Sequence, residues 1–167
     1  MKACLVLPAL LAATTAQAKD GFEAVRCGGD VRGALLGRTM SDAPVMEIEK
    51  RHADLGLEDL GGDEITDDLN SVSWRICGKE YVVTVSRHGA VRDVLAFPEH
   101  SKASPEFGAT QCVANGKKVS GDIIGVLDGK TVKAAWTVDE KSGKFAALPS
   151  AGLSCSDVGV ITADGEK

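Results

Sequence analysis

The run from Ser71 to Pro98 constrains the fold more than any other stretch of this chain. Val72, Trp74 and Ile76 alternate with Ser73, Arg75 and Cys77, the period of a strand with one face in a core. Gly78-Lys79 reads as a turn, and Glu80 to Ser86 as a second strand with Tyr81, Val83 and Val85 on one face. Arg87-His88-Gly89 forms the next turn, where glycine can take the positive φ that a tight connection needs. Val91, Leu95 and Phe97 continue a third strand, which Pro98 ends. Three strands joined by two short turns make an antiparallel meander, and the rest of the chain must cover or brace it.

Three residues in this run have the types of a hydrolase triad: Ser86, His88 and Asp93. A nucleophile and base two residues apart on one hairpin rarely converge with an acid so near, and no Gly-x-Ser-x-Gly elbow is present. Asp93 shares the alternation of the apolar face. A buried, unpaired carboxylate is costly, so Asp93 is expected to pair with an arginine or to lie at the sheet edge. No catalytic residue is assigned.

Downstream, Thr110–Val113 and Lys117–Val119 flank Asn115-Gly116, a strong local hairpin signal. Ile123–Leu127 and Val132–Val138 are further strands, joined at Asp128-Gly129. Lys141-Ser142-Gly143 turns the chain into Lys144–Leu148. The polar connector Glu99–Gly108, which contains His100, is too short to separate independent domains.

Upstream, Phe22–Val25 and Val31–Leu36 read as extended segments around the turn at Cys27-Gly28-Gly29-Asp30. Ser41-Asp42-Ala43-Pro44 is a helix start: Ser41 or Asp42 can cap, and Pro44 fits the first turn. Val45, Ile48, His52 and Leu55 then recur at helical spacing until Gly56. His52 has no second histidine or cysteine at ligand spacing, so it is expected to be partly buried and hydrogen-bonded. The fold class is therefore α+β, mainly an antiparallel β meander with one short N-terminal helix.

The first eighteen residues have a different logic. Lys2, the apolar run Ala3–Ala13 and the small-x-small site Ala16-Gln17-Ala18 follow the pattern of an export signal. The run is too short to span a bilayer, and no later stretch approaches the ~20 apolar residues that a span requires. The expectation is a signal peptide over 1–18, a single domain over 19–155 and a flexible tail over 156–167, with the mature protein periplasmic or extracellular. Cys27, Cys77, Cys112 and Cys155 remain after the signal. An even cysteine count in an exported chain predicts two disulfides with three possible pairings. Bracketing of the two halves favours Cys27–Cys77 and Cys112–Cys155, each stabilising by about 3–4 kcal/mol through loop closure. Spacing does not prove that connectivity.

Function is least legible. The whole chain carries a net charge of −5, which argues against nucleic acid or an anionic membrane as partner, since both reward basic patches. From Asp54 to Asp68, seven acidic residues occur with no basic one among them. A calcium loop is one reading, but Asp59-Leu60-Gly61-Gly62-Asp63 places glycine where the EF-hand order needs a ligand. A solvated loop anchored by its leucines, or an acidic surface meeting a basic protein, fits better. The candidate binding residues are Asp59, Asp63, Glu64, Asp67 and Asp68, with His88 in an adaptable turn. No metal or cofactor motif occurs. The expected role is a non-catalytic binding or inhibitory module of the cell envelope or extracellular space, with a structural assembly partner or an enzyme of unrecognised class as alternatives.

Overall fold

The computed structural model describes residues 20–98, 111–119, 123–128 and 131–156. The described elements are α1 (Val31–Leu35), α2 (Val45–Arg51), β1 (Glu58–Thr66), β2 (Leu69–Ile76), β3 (Lys79–Ser86) and β4 (Val91–Ala96), then β5 (Gln111–Ala114), β6 (Lys117–Lys118), β7 (Ile123–Asp128), β8 (Thr131–Val138), β9 (Phe145–Leu148) and β10 (Leu153–Ser156). The fold is α+β and mainly antiparallel. One sheet has the order β1-β2-β3-β4; the other has β6-β5-β10-β8-β7, with β9 also on β8.

The expected meander is β2, β3 and β4. Trp74 faces Tyr81 and Val72 faces Val83 across the first ladder. Its turn comes one residue earlier than the glycine suggests: Cys77 and Gly78 both have positive φ, 53° and 76°, and Lys79 already pairs with Ile76. Two successive left-handed residues match the twist of the flanking strands. In β4 the register slips between Thr84 and Val85, which pair with Asp93 and Val91, so Arg92 is bulged. That extra residue splits the apolar set expected on one face. Val91 and Val94 join one core cluster, whereas Leu95 and Phe97 join another.

Consequently the first sheet is packed on both faces. Trp74, Ile76, Tyr81, Val83 and Val85 meet Phe22, Val25, Leu35, Ile48 and Leu55 from the N-terminal segments. On the opposite face Leu69, Val82 and Phe97 meet Ile124, Val126 and Val138 of the second sheet. Two polar contacts accompany that packing: Thr84 Oγ1 donates to the Gly143 carbonyl at 2.5 Å, and the Phe145 N–H donates to Asp93 Oδ2 at 3.1 Å.

The N-terminal segments depart from expectation. Phe22–Val25 is not extended; Gly21–Ala24 forms a 3₁₀ turn capped by Asp20, whose carboxylate accepts the Phe22 N–H at 3.0 Å. Val31–Leu35 is α1 rather than a strand, because Asp30 accepts the Gly33 N–H at 2.9 Å. A side-chain acceptor at the N-cap satisfies a donor that an extended chain would leave to water. The expected helix is α2, but neither Ser41 nor Asp42 caps it; Pro44 occupies the N-cap and Ser41 Oγ accepts from the Ala43 N–H at 3.1 Å.

The acidic stretch also changes character. Instead of a loop, Glu58–Thr66 is a nine-residue edge strand paired with β2. Register shifts at Asp59/Gly61 and Glu64/Thr66 interrupt its alternation. Gly61 has a φ of 97°, and a Cβ at Gly62 would collide with the Ser71 carbonyl. The paired glycines allow this irregular strand to lie against β2.

Both favoured disulfides are present, Cys27–Cys77 and Cys112–Cys155. Cys112 and Cys155 are register partners across β5 and β10, with Cα atoms 4.1 Å apart. Asn115 and Gly116, with φ of 50° and 79°, make the expected hairpin. Such disulfides are compatible with an exported protein. Among the described residues no helix is long and apolar enough to cross a membrane. The signal segment, the Glu99–Gly108 connector with His100, the Asp128-Gly129 turn in part and the tail after Ser156 lie outside the described residues.

Candidate functional site: a cleft beside the acidic edge strand

A cleft of about 510 Å³ opens where the approach to α2 crosses one face of the first sheet. Its floor follows from strand periodicity. Asn70, Val72 and Trp74 alternate along β2, and Val85 is the register partner of Asn70 on β3.

Backbone bonds hold one wall in place. Thr39 bridges Ala90, and the Met40 N–H donates to the Gly89 carbonyl at 2.8 Å. Gly89 has a φ of 75°, and a Cβ there would come within 3.0 Å of the Met40 carbonyl. Glycine is therefore needed both for the turn and for the close approach. Met40 to Ala43, Val45 and Ile48 form this side of the cleft. Across it, Glu49 Oε1 accepts the Asp59 N–H at 2.9 Å, tying α2 to the start of β1.

The charged lining is divided. Asp42 and Asp59 are its carboxylates, while Arg87 and His88 come from the β3–β4 turn. Neither Asp42 nor Asp59 forms a salt bridge among the described residues. Asp59 Oδ1 instead accepts the Gly61 N–H at 2.8 Å. Trp74 lines the cleft and is 3% exposed, yet its indole N–H has no acceptor among the described residues. A buried donor left unpaired costs about 1–3 kcal/mol, and this one lies beneath the floor rather than at its surface.

Of the six binding candidates read from the sequence, Asp59 and His88 meet at this cleft. Glu64 pairs with the floor residue Asn70, whereas Asp63 pairs with Ser71 on the other face of the strand. Asp67 and Asp68 occupy the exposed β1–β2 turn, and the Asp68 carbonyl accepts the Arg87 N–H at 2.9 Å. The five acidic candidates are thus strung along β1 and its turn, with His88 on the β3–β4 turn, rather than gathered at a point. Among the described residues no three His, Cys, Asp or Glu side chains converge as metal ligands. Sequence reasoning missed Met40, Asp42, Asn70 and Arg87 as cleft residues; the Asn70-Val72-Trp74 alternation was the signal available for Asn70.

The triad types are separated. Ser86 Oγ accepts the Ala90 N–H at 3.1 Å and His88 is exposed. Asp93 is 4% exposed and bound elsewhere: Arg32 donates to its Oδ1 through Nε at 3.1 Å and a terminal nitrogen at 2.6 Å, and the Val94 N–H donates at 2.9 Å. Its expected arginine partner is therefore Arg32, at edge strand β4. Burial opposes ionisation of Asp93, but Arg32 and the Phe145 and Val94 N–H groups outweigh it and hold the carboxyl below its ordinary range.

His52 is buried and hydrogen-bonded, as expected, through a partner that the sequence did not suggest. Its Nε2 lies 2.8 and 3.0 Å from the two Asp20 carboxylate oxygens. Arg51 donates to Asp20 Oδ2 at 2.8 Å. Burial works against the charge on Asp20, yet His52, Arg51 and the Phe22 N–H together keep its pKa below the usual carboxylate value. This cluster secures the start of the described chain to α2. No family model, curated protein or solved structure matches the chain.

Proposed function

We propose that this protein is a non-catalytic binding or inhibitory module of the cell envelope or extracellular space, whose acidic edge receives a basic protein partner. The observation that carries the reading is the exposure of Asp63, Glu64, Asp67 and Asp68 on β1 and its turn, without a salt bridge among the described residues. Arg75, the cation on neighbouring β2, is already engaged by Glu58 and Glu80. Uncompensated like charge at a fixed edge is costly by itself and is relieved by a cationic surface. Such complementarity raises association rate and selects partners more than it raises affinity.

A structural assembly partner would need Leu57, Leu60 and Ile65 as an outward docking face. Leu57 is 7% exposed and Ile65 packs on the core shared with the second sheet, so Leu60, at 36% exposure, is the remaining outward leucine of that set. The binding reading is favoured for that reason.

Affinity capture from an envelope extract, with the captured protein identified by mass spectrometry, tests the proposal. The wild-type chain should retain a basic protein in low salt. A variant with Asp63→Asn, Glu64→Gln, Asp67→Asn and Asp68→Asn should lose it. Capture that is unchanged in the variant, or insensitive to salt, overturns the reading.

A further inference from the structure

We propose that the cleft beside β1 seats a short segment of that basic partner, consisting of a cationic residue followed by an aliphatic one. The aliphatic side chain enters over Val72 and Val85, and the cation meets Asp42 and Asp59. This inference rests on the binding reading above and adds where, and through which chemistry, the partner is held.

Two independent observations converge on this occupant. Val72, Trp74 and Val85 make the floor beside Asn70 apolar, and Val45, which is 39% exposed, adds apolar surface to the wall. An apolar lining in a cleft favours an occupant with an apolar group. Asp42 and Asp59 line the same cleft without a salt-bridging cation among the described residues. Trp74 lies in the lining of the same cleft, so its indole resonance reports occupancy. Arg87 and His88 at the β3–β4 turn give the cleft a direction. They disfavour a second cation there and set the segment with its positive end towards Asp42 and Asp59.

The probe is the blocked tripeptide acetyl-Lys-Leu-Ser-amide, titrated into the 15N-labelled mature protein. Acetyl-Lys-Ser-Ser-amide removes the anchor, and acetyl-Glu-Leu-Ser-amide reverses the charge. Trp74 and Trp136 are the chain's two tryptophans, so Trp136→Phe assigns the Trp74 indole resonance. Lys-Leu-Ser should shift that resonance saturably, with both control peptides at least about tenfold weaker. Combined Asp42→Asn and Asp59→Asn should weaken Lys-Leu-Ser by a similar factor. Asparagine retains an oxygen to accept the Gly61 N–H, and an unchanged amide spectrum verifies the fold.

An unmoved Trp74 resonance, or equal binding of the three peptides, overturns the cleft proposal. A resonance that shifts with protein concentration alone identifies a second copy as occupant and also overturns it. Partner capture that depends on Asp63, Glu64, Asp67 and Asp68 while Trp74 stays silent removes the cleft and leaves the binding module. Saturable Lys-Leu-Ser binding at Trp74 with capture indifferent to those four residues supports the cleft and removes the acidic-edge reading.

Discussion

Asp20 and Asp93 are buried carboxylates that link sequence-distant segments. Asp20 joins the chain start to Arg51 and His52, and Asp93 joins β4 to Arg32 and Phe145. Both pKa values are lowered in the folded protein despite burial. A depressed carboxylate stabilises the fold fully above its unfolded pKa of about 3.9, and the contribution is lost as pH falls through the folded value. Acid should therefore destabilise the protein progressively below about pH 4. Asp20→Asn and Asp93→Asn should each flatten that dependence in urea melts taken across the acid range, while lowering stability at pH 7 by about 2–4 kcal/mol. An unaltered acid slope in both variants would contradict these assignments. Gly143 offers a steric counterpart: its φ is 71°, and an added Cβ would lie 2.7 Å from Arg92 Cβ and 2.9 Å from Leu69 Cδ1. Gly143→Ala should cost about 2–4 kcal/mol in the same melts, from left-handed strain and overpacking combined. A loss below 0.5 kcal/mol, roughly the size of an ordinary surface change, would show that the β8–β9 turn yields easily.

Individual elements differ in what holds them. The β5–β10 pair is four residues long and is stapled at its third rung, where Cys155 faces Cys112. Joint Cys112→Ala and Cys155→Ala substitution should cost about 3–4 kcal/mol by releasing the closed loop in the unfolded chain. Hydrogen exchange should accelerate first in β5 and β10; equal acceleration throughout would assign the loss to the whole fold rather than this pair. The same elements explain what could be read from sequence. β2 and β3 were legible because uninterrupted alternation is itself the consequence of one face entering a core. β1 was not, because bulges break its period and an edge strand need not bury either face strongly. The bulge at Arg92 shifted the facing of β4 without any glycine or proline to announce it. α1 has only Val31 and Leu35 on its buried side, too few for a helical period, so its signal was the capping Asp30. The cleft was hidden for a more general reason: its walls come from the α2 approach, β1, β2 and the β3–β4 turn, and their proximity exists only after the chain has folded.

On the scale of the whole molecule, the decisive feature is the core shared by the two sheets. Leu69, Val82 and Phe97 from the first pack with Ile124, Val126 and Val138 from the second. Val82 is 1% exposed and Val126 6%; separating the sheets would return these side chains to water. Burying side chains of this size contributes about 1.5–3 kcal/mol each, comparable in sum with the net stability of a domain. Neither sheet is therefore expected to persist alone. The two tryptophans provide a direct test, since Trp74 lies in β2 and Trp136 in β8. Trp136→Phe leaves fluorescence from the first sheet, and Trp74→Phe leaves it from the second. After correcting each midpoint for its variant's stability by circular dichroism, the two urea transitions should coincide with equal m-values. Distinct midpoints, each with a smaller m-value than the dichroism transition, would instead show two units unfolding separately. Val82→Ala sharpens the result because Val82 lies in the shared core rather than in either sheet's other cluster. In a cooperative molecule it should lower the midpoint reported by both tryptophans by the same free energy, about 1–3 kcal/mol, whereas a shift confined to Trp74 would mean that the shared core does not couple the sheets.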